Sequence, residues 1–381
     1  MSALATALVR LGDKVTGSDR NLSTPNIAFL RSIGVEVFPD DGSGVSGDTD
    51  EVVVSTAIED TNADLLKARG AGIKTTHRAA ALAAALSPYR LVAVAGTCGK
   101  STVTAMLGHI LAECGFDPMC VNGANVPGWE GAVRFGRGDF AVAEVDESDK
   151  SLTAFRPFAA VVTNASADHY SEAEMNEVFD DFISALPGPL VDARGEVYRP
   201  QDFNAQNASI AVRMAVKLGC GEKEALAAME SFGGVERRLQ RYGERVYDDY
   251  AHNPEKLRSM WMALAERHAG GICVVWRPHG YGPLRKMLAE LADMFNEVVR
   301  ERDRLLLLPV YDAGGSADRS INSGALSALV PRSETVADLD AAFRWCERNK
   351  GAYEAFVTAG ARDPELPALA DRLGRMTAEG C

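Results

Sequence analysis

From Val92 to Ala95 the chain is a run of small apolar residues. Gly96 breaks it, and from Ser101 onward the apolar positions return with helical spacing. A strand that turns through Gly96-Thr97-Cys98-Gly99-Lys100-Ser101-Thr102 straight into a helix is the context a phosphate-binding loop requires. Glycines let backbone N–H groups close on phosphate oxygens, and the helix N-terminus adds the positive end of its dipole. Lys100 can bridge terminal phosphates, and Ser101 can place a hydroxyl on Mg²⁺. The spacing departs from the common G-x-x-x-x-G-K-[ST] form, because Val94 stands where the first glycine falls. A glycine turn with an exposed lysine is the plainer alternative. Cys98 has no base near it in sequence and reads as a small loop residue rather than a nucleophile.

A strand feeding a helix in this way predicts a parallel sheet with helices on both faces, and the rest of the chain alternates to match. Before the loop we expect helices at Ser2–Leu11, Asn26–Ile33 and Ala63–Arg69. Strands are expected at Asp13–Ser18, Val35–Phe38 and Ile73–Thr75, with a buried one at Glu51–Ser55. After it come strands at Phe140–Val145 and Ala159–Thr163 and helices at Met175–Leu186 and Asn204–Leu218. Past a polar turn at Arg237–Glu244 the alternation resumes. Strands at Arg245–Asp249, Ile272–Trp276, Arg304–Leu308 and Ala355–Ala359 interleave with helices at Pro254–His268, Leu284–Phe295 and Leu339–Asn349. Pro88 and the polar turn set three expected α/β domains, 1–87, 88–240 and 241–381, and a length of 381 residues accommodates them.

Hydrophobic residues make up 46% of the chain, enough to build several cores, and the formal net charge of −13 argues against a general nucleic-acid binder. No apolar run is long enough to span a membrane. The N-terminal stretch MSALATALVRLGDKV reads as an amphipathic helix rather than a signal peptide. Seven cysteines without a C-x-x-C pair predict free thiols, not a disulfide framework or structural zinc. These features suit a cytoplasmic enzyme.

Two strand ends near the loop carry further chemistry. Phe140–Val145 runs into Glu144, Asp146, Glu147 and Asp149, carboxylates of the kind a Mg²⁺-nucleotide needs, though an acidic turn is often only solvated. Val161-Val162-Thr163-Asn164 is followed by Asp168-His169. A histidine at such a strand end lies where α/β sheets gather their ligands.

With GTCGKST, AEVDESD, VTNASADH, FNAQN, GVERRLQ and DDYAHNP in that order, the chain resembles the Mur ligase family, the ATP-dependent amide-forming ligases of peptidoglycan synthesis. GSDRN, VVVSTAIEDTNADL, RPHGYGPLR, PVYDAGG and VTAGARD place it nearest the branch that joins L-alanine to UDP-N-acetylmuramate. A tripeptide-recycling ligase, or another relative with a different acid or amine, is an alternative, as is a degenerate ATP-binding paralogue. The resemblance implies an N-terminal UDP-sugar domain, a central ATPase domain and a C-terminal domain of dinucleotide-binding type that admits the amino acid. It implies ATP and Mg²⁺ as cofactors, an acyl-phosphate intermediate, and UDP-sugar and amino-acid partners. A monomer or homodimer, with no nucleic acid and no membrane, is expected.

By motif, the resemblance gives ATP to Gly96, Thr97, Cys98, Gly99, Lys100, Ser101, Thr102, Asn207 (adenine), Arg238 (phosphates) and Asp249 (ribose). It gives Mg²⁺ to Ser101, Glu144 and His169, and catalytic roles to Lys100, His169 and His252. Ser18, Asp19, Ser55, Thr56 and Ala57 match uridine-diphosphate loops, and His279, Tyr281 and Arg285 the amino-acid and phosphate end. Two departures stand out. The first domain opens on a helix where the family has a strand and a glycine-rich turn, so its sheet is expected to lack that strand. The central domain is short between Pro187 and Phe203, which is expected to expose a sheet edge.

Overall fold

The computed structural model describes residues 1–146, 151–165, 172–184, 186–196, 203–312, 318–361 and 363–378. Two compact units divide the chain. One comprises Met1–Glu196 with Ala205–Val235, the other Val197–Asn204 with Glu236–Cys381.

The first unit begins α1 (Ser2–Leu11), β1 (Thr16–Asp19), α2 (Pro25–Ser32), β2 (Glu36–Pro39), β3 (Glu51–Val54), α3 (Ala63–Gly70), β4 (Lys74–His77) and α4 (Arg78–Leu86). Gly12 ends α1 with a left-handed φ of 103°, a conformation glycine adopts without penalty. Thr24 and Asn62 cap α2 and α3 through their side-chain oxygens. The strands of this stretch do not join in one sheet. β1 pairs only with β2 and β3 only with β4, as two separate parallel ladders. Glu51–Ser55, expected to be buried, is therefore corrected: β3 is exposed at Glu51 and half-buried through Val54. The helices packed against β3, α3 and α4, cover its faces only in part.

Next come β5 (Arg90–Ala95), α5 (Lys100–Glu113), β6 (Met119–Val121), β7 (Val133–Arg134), β8 (Phe140–Glu144), a 3₁₀ turn at Ser151–Ala154, β9 (Ala159–Val162), α6 (Glu172–Ile183), β10 (Leu190–Asp192), α7 (Phe203–Lys217) and α8 (Glu222–Glu230). The six strands run in the order β10-β9-β5-β8-β6-β7, all parallel except the β6–β7 pair. β5 lies inside the sheet, and its residues alternate between faces. Val92 and Val94 enter a core with α5, α7 and α8, while Leu91, Ala93 and Ala95 enter one with α4 and α6. The short segment after Pro187 supplies β10, which pairs with β9 on one side and forms an edge of the sheet.

The second unit contains β11 (Gln240–Arg241), β12 (Val246–Asp249), α9 (Pro254–Arg267), β13 (Ile272–Trp276), α10 (Tyr281–Lys286), α11 (Leu288–Val298), β14 (Arg304–Leu307), α12 (Ser323–Ser327), β15 (Ser333–Thr335), α13 (Leu339–Arg348), β16 (Ala355–Ala359) and α14 (Leu366–Ala378). Its sheet has the order β11-β12-β16-β13-β14-β15 and is parallel apart from β11. Ile272, Val274 and Trp276 pack on one face, Cys273 and Val275 on the other. The single helix expected over Leu284–Phe295 is two helices. Met287 (φ −102°, ψ 10°) leaves helical geometry, and α11 starts afresh beyond it. The cysteines among the described residues are free thiols.

Candidate functional site

The phosphate loop leaves the C-terminal end of β5, where ligands gather on parallel sheets. Gly96 and Gly99 hold φ of 124° and 85°. A Cβ on Gly96 would stand 2.2 Å from the Thr163 hydroxyl, and one on Gly99 2.6 Å from the Asn207 amide oxygen. The turn therefore needs glycine for both conformation and space. Gly99 gives α5 no side-chain cap, so the first N–H groups of that helix face the loop. The Lys100 ammonium donates to the carbonyls of Gly96 (2.6 Å) and Thr97 (3.3 Å), folding the side chain over the loop. Thr97, Ser101 and Thr102 are buried within it.

Cys98 is held through its backbone. Its N–H donates to the Asn164 amide oxygen at 2.9 Å. Its carbonyl accepts from the Asn164 amide (3.0 Å) and the Thr163 hydroxyl (2.6 Å). Thr163 and Asn164 join the site through their place at the end of β9, beside β5, a strand end that the sequence marks. Asn207 is buried against Gly99.

Glu144 ends β8, the neighbour of β5, in register with Val94. The ladder thus sets its carboxylate two residues short of the level at which the glycine loop begins. One Glu144 oxygen accepts the Gly123 N–H at 2.8 Å. Beyond it lies a cavity of about 440 Å³, whose walls include Ser2, Phe29, Arg78, Asn122 and Glu144. Arg78 pairs with Asp146 at 3.0 Å. The Asn122 amide oxygen is buried without a hydrogen-bond partner, an acceptor that a ligand's donor would satisfy. His169, Glu147 and Asp149 lie outside the described residues. Ser18 and Asp19 close β1, and Ser55, Thr56 and Ala57 follow β3, so each set sits at the C-terminal end of a strand in its own ladder. Asp19 accepts the Asn21 N–H at 2.8 Å, and Thr56 and Ala57 are exposed.

In the second unit the motifs around Arg238 and His252 converge on Asp249. One Asp249 oxygen accepts the Leu239 N–H and the other the Ala251 N–H, both at 2.8 Å. Burial pushes this carboxyl up to about 6, against the pull of Arg238 and the two N–H donors. His252 Nδ1 donates to the Tyr250 carbonyl (2.9 Å), and its ring meets His279 edge-on at 4.9 Å. Burial, then the nearby Lys256, push the imidazole down to about 4. His252 is therefore neutral at neutral pH. Arg238 stacks over Tyr250 at 5.5 Å. Arg237 and Leu239 on either side of it have φ of 57° and 46°, left-handed values that cost a non-glycine residue on the order of 1 kcal/mol each. Tyr281 opens α10. Arg285, in the last turn of that helix, binds Ser320 (2.9 Å) and Asp318 (2.9 Å).

A parallel sheet that delivers a glycine loop to a helix N-terminus, with a carboxylate on the adjoining strand, defines a phosphate-loop α/β protein. Two family profiles match the chain: "Mur ligase family, catalytic domain" over residues 1–90 and "Mur ligase, glutamate ligase domain" over residues 237–362. The UDP-N-acetylmuramate–L-alanine ligase of Arthrobacter sp. (strain FB24) is 35% identical, over 82% of this chain and 79% of that protein. The enzyme of the same name from Rubrobacter xylanophilus is 33% identical over 95% of each. This chain belongs to the Mur ligase family. Among solved structures, the fold matches UDP-N-acetylmuramate–alanine ligase of Thermotoga maritima, with a TM-score of 0.77 at 23% identity over 100% of this chain and 97% of that one. It also matches a murein peptide ligase of Psychrobacter arcticus, with a TM-score of 0.66 at 18% identity over the same shares. Among the described residues, no helix is long and apolar enough to cross a membrane.

Proposed function

We propose that the chain joins L-alanine to the carboxylate of UDP-N-acetylmuramate, consuming ATP and releasing ADP and phosphate. The observation that carries this reading is the glycine loop of β5–α5 set beside Glu144, with the 440 Å³ cavity adjoining that carboxylate. The names of the relatives point the same way. The loop suits a nucleotide, because its two left-handed glycines turn β5 straight into the N-terminus of α5, the positive end of the helix dipole that favours phosphate. Ser101 and Glu144 have the oxygen donors Mg²⁺ favours, and the metal, when bound, neutralises phosphate charge.

In this reading, residues 1–87 hold the UDP-sugar, 88–240 the ATP and 241–381 the amino acid. A carboxylate is a poor electrophile, so phosphoryl transfer to it from ATP supplies a leaving group. Lys100 swings from the Gly96 carbonyl to the phosphates and stabilises the charge that gathers there. Arg238 adds a second cation. His252, held neutral, lies near the reacting groups in this reading, where the attacking ammonium must lose a proton before the amine displaces phosphate. The acid substrate lies in the cavity, where the Asn122 oxygen accepts from it. Ser18, Asp19, Ser55, Thr56 and Ala57 hold the uridine diphosphate, and His279, Tyr281 and Arg285 surround the amino acid. A cytoplasmic setting supplies all three substrates.

The test is phosphate release from Mg-ATP with UDP-N-acetylmuramate and L-alanine, singly and together. Release only with both supports the ligase, and Lys100→Ala should lower it by about 10²–10³-fold. Release with neither, while ATP still binds, would sink the reading.

A further inference from the structure

The turn that carries Arg238 is built against backbone preference, and the groups that hold it form a buried network. Arg237 and Leu239 are left-handed, with Arg238 between them. The Arg237 N–H donates to the Gln240 amide oxygen (2.9 Å), and its carbonyl accepts the Tyr250 N–H (2.8 Å). The Arg237 guanidinium turns inward. Its Nε donates to Asp248 Oδ2 at 2.8 Å and its Nη2 to the Gly360 carbonyl at 2.6 Å. Asp248 is wholly buried, and its other oxygen accepts the Thr358 hydroxyl at 2.6 Å. A buried ion pair is weak evidence of a stabilising device, since an apolar pair of the same volume often does as well. Its geometry is directional, however: β12 and β16 place Asp248 and Thr358 in register and fix where Arg237 must lie. Strained backbone persists where the surroundings over-determine it, and such places cluster at functional sites.

We propose that Arg237, Asp248 and Thr358 are positioning residues that hold the 237–239 turn so that Arg238 meets the phosphates of the nucleotide. The inference rests on the reading of Arg238 as a phosphate contact and extends it to residues that touch no substrate. Asp248→Asn leaves Arg237 without its charge partner, and Thr358→Val removes one hydrogen bond while keeping the shape of the side chain. Each relaxes the turn, and Arg238 no longer sits ready.

The experiment is a double-mutant cycle on the full chain. It reads Mg-ATP affinity by calorimetry, KM for ATP against kcat, and the unfolding midpoint. Asp248→Asn is expected to weaken Mg-ATP affinity by about 10- to 100-fold and Thr358→Val by several-fold, both through KM for ATP. In an Arg238→Ala background neither change should weaken it further. A general loosening of the fold would instead lower the midpoint and leave the losses additive, and additive losses overturn the proposal. So does unchanged ATP affinity in Thr358→Val, which keeps the test decisive should Asp248→Asn fail to fold. If Arg238→Ala alone leaves ATP affinity unchanged, the phosphate-contact reading falls and the proposal with it. If it weakens affinity while Asp248→Asn and Thr358→Val do not, only the proposal falls.

Discussion

Asp249 and His252 are displaced in opposite directions, and the structure predicts that their effects on stability cancel in wild type and separate on mutation. Asp249 moves from 3.8 up to about 6, His252 from 6.5 down to about 4. Between about pH 4 and 6 the folded chain thus holds a proton on Asp249 and none on His252, while the unfolded chain does the reverse. Each state binds one proton on this pair, so the pair adds no slope to stability against pH. His252→Gln removes one half. The folded value of His252 is depressed, so its contribution is present above pH 6.5 and lost as pH falls towards 4, by about 3 kcal/mol at full effect. The variant should therefore gain on wild type as pH falls, by up to about 1.4 kcal/mol per pH unit. Asp249→Asn removes the other half. A raised carboxyl contributes most below 3.8 and loses that contribution as pH rises through about 6, so this variant should fall behind wild type as pH falls. It also carries a constant deficit of about 1–3 kcal/mol, because one of the two N–H donors loses its acceptor. The groups facing the pair are Arg238, Lys256, His279 and Asp248, and the substitutions leave all four in place. Guanidinium unfolding from pH 4.5 to 7 reads the effect through tryptophan fluorescence, to which Trp261, Trp276 and Trp345 of the second unit contribute. Differences from wild type that do not change with pH, or that share one sign of slope, would refute the reasoning.

Gly96→Ala should destabilise the loop by about 2–3 kcal/mol and abolish Mg-ATP binding, since its Cβ meets the Thr163 hydroxyl and φ is 124°. Melting with and without Mg-ATP checks both, and a variant that ATP still stabilises would contradict the cradle. Asn164→Ala removes two of the hydrogen bonds on Cys98, leaves that from Thr163, and should weaken Mg-ATP by about tenfold, measured by calorimetry. Asp303→Ala strands the Trp261 and Ile272 N–H groups and the Arg300 guanidinium, and should cost about 3–5 kcal/mol in chemical denaturation with no separate effect on KM. Burial works to raise the Asp303 carboxyl, but the hydrogen bonds, Arg300 foremost, hold it below its usual range. Its contribution is thus present above pH 3.8 and lost in acid, so the deficit of Asp303→Ala should shrink as pH falls through that range.

The β5 strand, its glycine turn and α5 could be read from the sequence because every determinant is local. An apolar run, two glycines and a helical repeat lie within a few residues of one another. The same holds for Glu144, which the end of an apolar strand marks. What holds the loop could not be read in this way. Asn164 reaches Cys98 across 66 residues, and Arg237 reaches Gly360 across 123, distances over which only the folded sheet brings partners together. Leu190–Asp192 is too short for strand alternation to register, so the sequence does not mark the strand that edges the sheet. Arg78–Leu86, RAAALAAAL, has too few polar positions to show a helical face. Glu51–Ser55 reads as buried in the sequence because a run of valines looks the same whether its faces are covered wholly or in part. Gly280, Pro283 and the break at Met287 put Tyr281 and Arg285 on a short helix of their own, which the helical pattern of the surrounding residues concealed.

The two ladders β1–β2 and β3–β4 carry a kinetic consequence. An isolated pair of strands is marginal in water, and local opening begins where backbone pairing is thinnest. Amides of Thr16–Asp19 and Glu51–Val54 should exchange with solvent far sooner than those of β5, which is bonded on both sides. Ser18 and Ser55 stand at the ends of these early-opening strands. A ligand that spans both ladders would be recorded as slowed exchange in the two at once, so the binding of a nucleotide sugar can be followed strand by strand before any bond is made.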